Sequence, residues 1–197
     1  MKNHKSSTHI THESIPIIIN DESSVLILGS LPSVKSREDG FYYAHPRNRF
    51  FKVLANVFNE SEPLSIEDRK AFLGRHKIAL YDVIYECDIS GSSDASIKNA
   101  KVVDIKDILE SHPNIKRIGV NGGKAKQLFD KCLLNIAKQF DIEVFYLPST
   151  SPANARINLN ELIKSFNCVY VWPETQIVGQ AGEQGDVVVG DSLVGSI

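Results

Sequence analysis

Four short apolar runs, each followed or preceded by a stretch with helical spacing, constrain the fold of this 197-residue chain more than any other feature. The runs lie at residues 25–28, 78–84, 115–120 and 142–147 and are rich in Val, Ile and Leu. Runs of that length bounded by Gly, Ser or Pro read as strands buried on both faces. Between them, apolar residues recur at helical spacing from about Pro46 or Arg47 to Phe58, over 65–77, over 104–111 and over 122–140, and a last helix is expected over 155–166. Strands alternating with helices predict a three-layer α/β/α fold with a central, mostly parallel sheet. In such folds the functional loops follow the carboxyl ends of the strands, so loops 29–48, 82–96 and 148–156 are the ones that matter.

The ends of the chain read differently. Residues 1–12 are polar, carry His4, His9 and His12, and are expected to form a flexible tail. Residues 173–197 are Gly-rich, with four acids and neither Lys nor Arg, and are expected to form an acidic tail. A short final strand is expected at 168–171. The working domain is thus placed at 13–172.

Composition excludes several classes. The apolar runs fall short of the roughly 18 residues that a membrane span needs. No signal-peptide h-region precedes the domain, so a cytoplasmic protein is expected. Cys87, Cys132 and Cys168 form no CxxC pair, which argues against a zinc or iron–sulfur site; no metal and no cofactor are expected. The net charge of −2 argues against bulk coating of nucleic acid, but Lys35, Arg37, Arg47, Arg49 and Lys52 concentrate positive charge against only Glu38 and Asp39. Such a strip suits contact with a few phosphates.

The chemistry concentrates in one loop. Gly29-Ser30-Leu31-Pro32-Ser33 follows the first strand, and Gly40-Phe-Tyr-Tyr-Ala-His-Pro-Arg-Asn-Arg-Phe-Phe51 follows it. Tyr42 and Tyr43 offer aromatic faces for stacking. Asn48 carries an amide that both donates and accepts. Taken singly, each has an ordinary structural reading: half-buried aromatics, a His-Pro turn, a polar residue on a helix. The polar stretch from Ser90 to Ser96 places Asp94 near the second loop, where a role in capping its own backbone is the simpler reading; Asp82 lies on the same loop.

These segments resemble the uracil-DNA glycosylase superfamily, in particular its mismatch-specific branch and, more closely, the hypoxanthine-DNA glycosylase (DNA-deoxyinosine glycosylase) family. Residues 29–33 lie where the mismatch-specific branch has Gly-x-Asn-Pro-Gly, and residues 40–51 match its Gly-Phe-x-Phe-Ala-His-Pro-x-Asn-Arg-Phe-Trp segment almost residue for residue. Pro148-Ser149-Thr150-Ser151-Pro152-Ala153-Asn154 resembles the second motif, and Leu80-Tyr81-Asp82-Val83 and Asn121-Gly122-Gly123-Lys124-Ala125 resemble intervening elements. The catalytic Asn of the mismatch-specific loop falls at Leu31, which cannot orient water.

The resemblance implies a monofunctional DNA glycosylase of base excision repair that turns a deaminated base, hypoxanthine foremost and uracil next, out of double-stranded DNA. It implies catalytic roles for Asn48 and His45, and base contacts from Gly29, Ser30, Leu31 and Tyr43. Lys35, Arg47, Ser149, Thr150, Ser151, Asn154 and Arg156 are the expected DNA contacts. A monomer is expected, without a lysine nucleophile. Two other classes stay open on the residues alone: an inactive module that binds damaged DNA, favoured by Leu31, and an α/β enzyme acting on nucleosides or nucleotides.

Overall fold

A computed structural model describes residues 8–90 and 96–170. The acidic tail expected at 173–197, the outermost part of the N-terminal tail and Asp94 lie outside the described residues.

Four parallel strands form the centre: β2 (Val25–Gly29), β3 (Ile78–Asp82), β6 (Arg117–Asn121) and β7 (Glu143–Leu147), in the order β3-β2-β6-β7. Every residue of β2 and β3 is buried, as continuous apolar runs require when helices cover both faces. The chain moves from β2 outward to β3, then returns to the other side of β2 to lay down β6 and β7. The carboxyl ends around β2 are therefore the switch point where a crevice opens.

The helices divide into two packed groups. α2 (Phe50–Val57) packs on α7 (Leu159–Phe166), with the Phe50 and Phe166 rings edge to face at 6.2 Å. α4 (Ile105–Ser111) and α5 (Gly123–Cys132) both pack against α6 (Leu134–Gln139). α3 (Ile66–Arg75) packs on β3. Ser65 caps α3 in a full capping box with Asp68, as its position predicts. Among the core side chains, Leu26, Leu28, Phe50, Leu54, Phe72, Phe129 and Phe166 are fully buried; each stabilises the fold by about 1.5–3 kcal/mol.

The structure differs from the sequence expectations in several places. Thr8–Thr11, expected in the flexible tail, form β1, and His12–Ser14 form a 3-10 turn. β1 pairs with β4 (Ile84–Ile89), which pairs with β5 (Lys98–Val102), all antiparallel, in a second small sheet. The run 78–84 is thus two strands parted at Val83. A short helix, α1 (Val34–Asp39), is capped by Ser33 and stopped by Gly40 at φ 65°. α2 starts at Phe50 rather than at 46–47, because residues 45–48 spend their hydrogen bonds in a turn: His45 O accepts from Asn48 N–H and His45 Nδ1 from Arg47 N–H. The stretch 122–140 breaks at Leu133 into α5 and α6. α7 starts at Leu159, capped by Asn158, and Asn167–Val169 form a 3-10 turn where a strand was expected.

Candidate active site

All four carboxyl ends of the parallel sheet meet at one cavity of about 220 Å³. That is smaller than the ~300–1,000 Å³ of drug-sized sites and suits a single ring system. Gly29 closes β2, Asp82 closes β3 and Asn121 closes β6; Ser149 follows β7. Ser30, Leu31, Tyr43 and Asn48 line it from the first loop, and Ser149, Thr150 and Ser151 from the second.

Tyr43 is held from three directions. Its backbone sits at φ 54°, an uncommon conformation for a bulky residue. Its ring stacks on Phe50 at 3.7 Å between centroids and 10° between planes. Its hydroxyl accepts a hydrogen bond from Asn121 Nδ2 at 3.1 Å. Burial, reinforced by the Asp82 carboxylate, pushes the phenol well above its ordinary range, so it stays neutral. Gly29 is required beside it: a Cβ there would stand 2.3 Å from Asp82 Oδ1 and 3.5 Å from the Tyr43 hydroxyl. Gly29 and Asp82 are direct partners in the β2–β3 register, so the carboxylate lies over the glycine.

Asn48 Oδ1 accepts the Phe50 N–H at 3.0 Å just ahead of α2, which fixes the plane of the amide. The Nδ2 hydrogens remain for a ligand. Asn121 is also divided: Nδ2 holds Tyr43, while Oδ1 is buried without a hydrogen-bond partner among the described residues. A buried polar atom in that state calls for a partner from water or ligand. Thr150 Oγ1 is in the same state.

The remaining expected residues are placed otherwise. His45 does not line the cavity; its carbonyl and Nδ1 hold the turn that delivers Asn48. Asn154 is structural, donating from Nδ2 to Ser149 O at 2.8 Å. Arg47 and Arg156 are exposed outside the cavity. Lys35 pairs with Asp39 at 2.7 Å on α1, and this contact raises its affinity for its proton.

Several residues that build the site were read only as part of the basic strip, a candidate loop, a matched element or the N-terminal tail, and not as site residues. Arg49 donates through its guanidinium to Ile157 O and Asn154 O, and its N–H donates to Thr150 O, so it ties the second loop to the first. Its place in the matched segment beside Asn48 was the available signal. Arg37 lines the cavity mouth while donating to Pro32 O. Asp82 and Asn121 end apolar strands with a polar residue, a signal readable in the sequence. His12 carried no signal of this kind; its imidazole lies behind Asp82.

No group of three or more His, Cys, Asp or Glu among the described residues is arranged to hold a metal. No helix among them is long and apolar enough to cross a membrane.

Comparison with known proteins agrees with this geometry. The family profile described as the uracil DNA glycosylase superfamily matches residues 16–169. A hypoxanthine DNA glycosylase of Methanosarcina barkeri is 30% identical over 145 residues, covering 73% of this chain and 89% of the relative. A hypoxanthine DNA glycosylase of Methanosarcina acetivorans is 30% identical over 146 residues, covering 74% and 89%. A solution NMR structure of a Methanosarcina acetivorans protein, described as a candidate uracil DNA glycosylase, superposes with a TM-score of 0.67 at 27% identity, covering 84% of this chain and 98% of that one. With a profile match across most of its length, this chain belongs to the uracil DNA glycosylase superfamily.

Proposed function

We propose that the chain is a monofunctional DNA glycosylase of base excision repair that hydrolyses the N-glycosidic bond of a deaminated base, hypoxanthine foremost and uracil next, in double-stranded DNA. The observation that carries this reading is the cavity itself, which joins Gly29–Leu31, Tyr43 and Asn48 of one loop to Ser149–Ser151 of another more than a hundred residues away. Membership in the superfamily and the names of the two Methanosarcina relatives support it.

The chemistry follows from the parts. The target nucleotide rotates out of the duplex and its base enters the cavity. Phe50 covers one face of Tyr43, so the opposite face is the stacking platform. Base–aromatic stacking of this kind is worth about 1–3 kcal/mol. Asn48 Nδ2 holds the attacking water or the leaving base. The bond from C1′ to the base nitrogen breaks as a water oxygen bonds to C1′, and the water proton leaves to the base or solvent. No lysine lines the cavity among the described residues, which fits hydrolysis by water rather than a covalent enzyme–DNA intermediate. Ser149 and Ser151, which line the cavity from the second loop, contact the flanking phosphates, and Arg47 and Arg156 reach the backbone beyond it; Thr150, expected among the DNA contacts, is buried and turns its hydroxyl inward instead.

The test is base release. Duplexes carrying one hypoxanthine, uracil or xanthine are incubated with the protein and treated with alkali to cut abasic sites, with Asn48→Ala alongside. Cleavage at hypoxanthine reduced by about 10²-fold or more in Asn48→Ala is the expected result, a loss typical of removing one preorganised polar group. No release from any base by folded protein would instead favour the damage-binding module that Leu31 suggests. Borohydride trapping of an adduct would refute the monofunctional mechanism.

A further inference from the structure

The charges on α1 are unevenly paired. The helix carries Lys35, Arg37, Glu38 and Asp39. Lys35 takes both acids, at 2.7 Å from Asp39 and 3.8 Å from Glu38. Arg37 forms no ion pair with a described residue, and its guanidinium keeps its charge at every working pH. Nη1 donates to Pro32 O at 2.6 Å. Pro32 lines the cavity, so this bond draws the half-buried guanidinium to the cavity mouth. No other Lys or Arg among the described residues lines the cavity.

Arg37 differs in this from Arg49. Arg49 spends Nη1 and Nη2 on Ile157 O and Asn154 O and is a brace. Arg37 spends Nη1 alone, which leaves the Nε and Nη2 hydrogens along one edge of the fork. That edge matches two oxygens of a phosphate. A nucleotide in the cavity brings such a partner with it. Its base is joined to a deoxyribose, and the deoxyribose to a phosphate on either side. With the ring beside Tyr43, Asn48 and Asn121, those phosphates stay at the mouth, where Arg37 stands. In a stacked duplex the same phosphates run along the outside of the helix and do not reach it. The contact therefore forms only after rotation of the nucleotide, and it offsets part of the cost of unstacking.

We propose that Arg37 clamps a phosphate of the flipped nucleotide itself and so stabilises the extruded state over the stacked one. This rests on the glycosylase reading above. The Pro32 carbonyl fixes one arm of the guanidinium before DNA arrives, so less side-chain freedom is lost when the phosphate is met. The clamp differs from the contacts of Arg47 and Arg156, which lie outside the cavity and meet the backbone whether or not a base is turned out.

The experiment is a binding cycle that needs no turnover. The whole protein and Arg37→Ala are titrated with a duplex carrying a 2′-fluoro analogue of deoxyinosine, whose fluorine resists loss of the base, and with the undamaged duplex. The lesion duplex is also made with one uncharged methylphosphonate on the 5′ or the 3′ side of the lesion. Arg37→Ala should weaken lesion binding by roughly 10–100-fold, the size of hydrogen bonds to a charged group. It should shallow the slope of log K against log salt by about 0.9, and leave binding to undamaged duplex unchanged. One of the two methylphosphonates should weaken the wild type by a similar factor and Arg37→Ala hardly at all, because the two changes remove the same contact. Arg37→Gln, which can still donate to Pro32 O without a charge, should follow Arg37→Ala. Losses that multiply with both methylphosphonates, as a merely structural arginine would give, overturn the clamp. So does wild-type affinity in Arg37→Gln, or equal weakening on the undamaged duplex. Base release is measured beside the cycle: no release from any base by the wild type overturns the glycosylase reading, while the binding cycle still decides the clamp.

Discussion

The two loops that form the cavity are built in opposite ways. The first, from Gly29 to Arg49, is rigid from within. Ser33 caps α1, Ser36 Oγ accepts the Ala44 N–H, Tyr43 stacks on Phe50, and Asn48 Oδ1 accepts the Phe50 N–H. The second, from Ser149 to Ile157, has a few internal bonds, such as Asn154 to Ser149, and is otherwise fastened from outside by Arg49. The loop that carries the chemistry therefore holds itself, while the loop assigned to the DNA backbone is tied to it at Arg49, through the guanidinium and the main-chain N–H. Precision is concentrated where a reacting atom must be placed, and a removable tether serves where a flexible phosphate backbone must be met.

Breaking the tether gives the largest expected effect. Arg49→Ala removes two guanidinium bonds to main-chain carbonyls, each worth about 1.5–3 kcal/mol. Misplacement of the second loop should lower single-turnover base release about 10²-fold. Arg49→Lys should not restore it, because an ammonium lacks the planar fork that reaches Ile157 O and Asn154 O together. If Arg49→Ala released base at the wild-type rate, the second loop would be shown to hold its own shape and the contrast would fall.

Gly29→Ala attacks the first loop at its base and ranks next. The new Cβ would meet Asp82 Oδ1 at 2.3 Å, so the carboxylate or the strand end must move. Overpacking of this kind costs about 1–3 kcal/mol, and thermal unfolding measures it. Release should drop more than stability alone accounts for, because Asp82 lines the cavity.

How far the sequence disclosed this architecture follows from where the information lies. β2, β3 and all of β6 but Arg117 are buried on both faces, so burial itself writes them as apolar runs, whereas β7 at the sheet edge is half-exposed and keeps Glu143 and Tyr146 at the surface. β5 reads Lys-Asn-Ala-Lys-Val and is mostly exposed, so nothing selects an apolar alternation there and the small sheet left no trace. β1 was hidden for a related reason, since Thr-His-Ile-Thr on an edge looks like any polar tail. Tyr43, Asn48 and the Ser149–Ser151 loop were legible because the matched segments carry them. Asp82 and Asn121 needed the register of the sheet, which alone puts the ends of β3 and β6 beside Gly29. His12 needed the fold of the second sheet as well.

Tyr43→Phe sharpens the contrast within the first loop by separating the ring from the hydroxyl. Stacking on Phe50 survives, while Asn121 Nδ2 loses its acceptor. Stability should fall by about 1 kcal/mol, the net worth of one hydrogen bond, and release by about five- to tenfold, since Asn121 is then free to turn. Equal activity in Tyr43→Phe and the wild type would assign the whole of Tyr43's contribution to its ring face.

The smallest effect concerns the charges that flank the loops, and it is read from salt dependence rather than from rate. Each phosphate contact contributes about 0.9 to the slope of log K against log salt. Arg47 and Arg156 are exposed and make no ion pair with a described residue, so their charges are available to DNA. Lys35 is held by Asp39 at 2.7 Å, with Glu38 at 3.8 Å, and these two carboxylates screen it from an approaching phosphate. Arg47→Ala and Arg156→Ala should each shallow the slope by about one unit, and Lys35→Ala by clearly less. A full unit lost in Lys35→Ala would mean that DNA pulls the ammonium out of its pair. The first loop would then grip the flanking backbone as well as the flipped nucleotide, and the division of labour between the two loops would be less sharp than their construction implies.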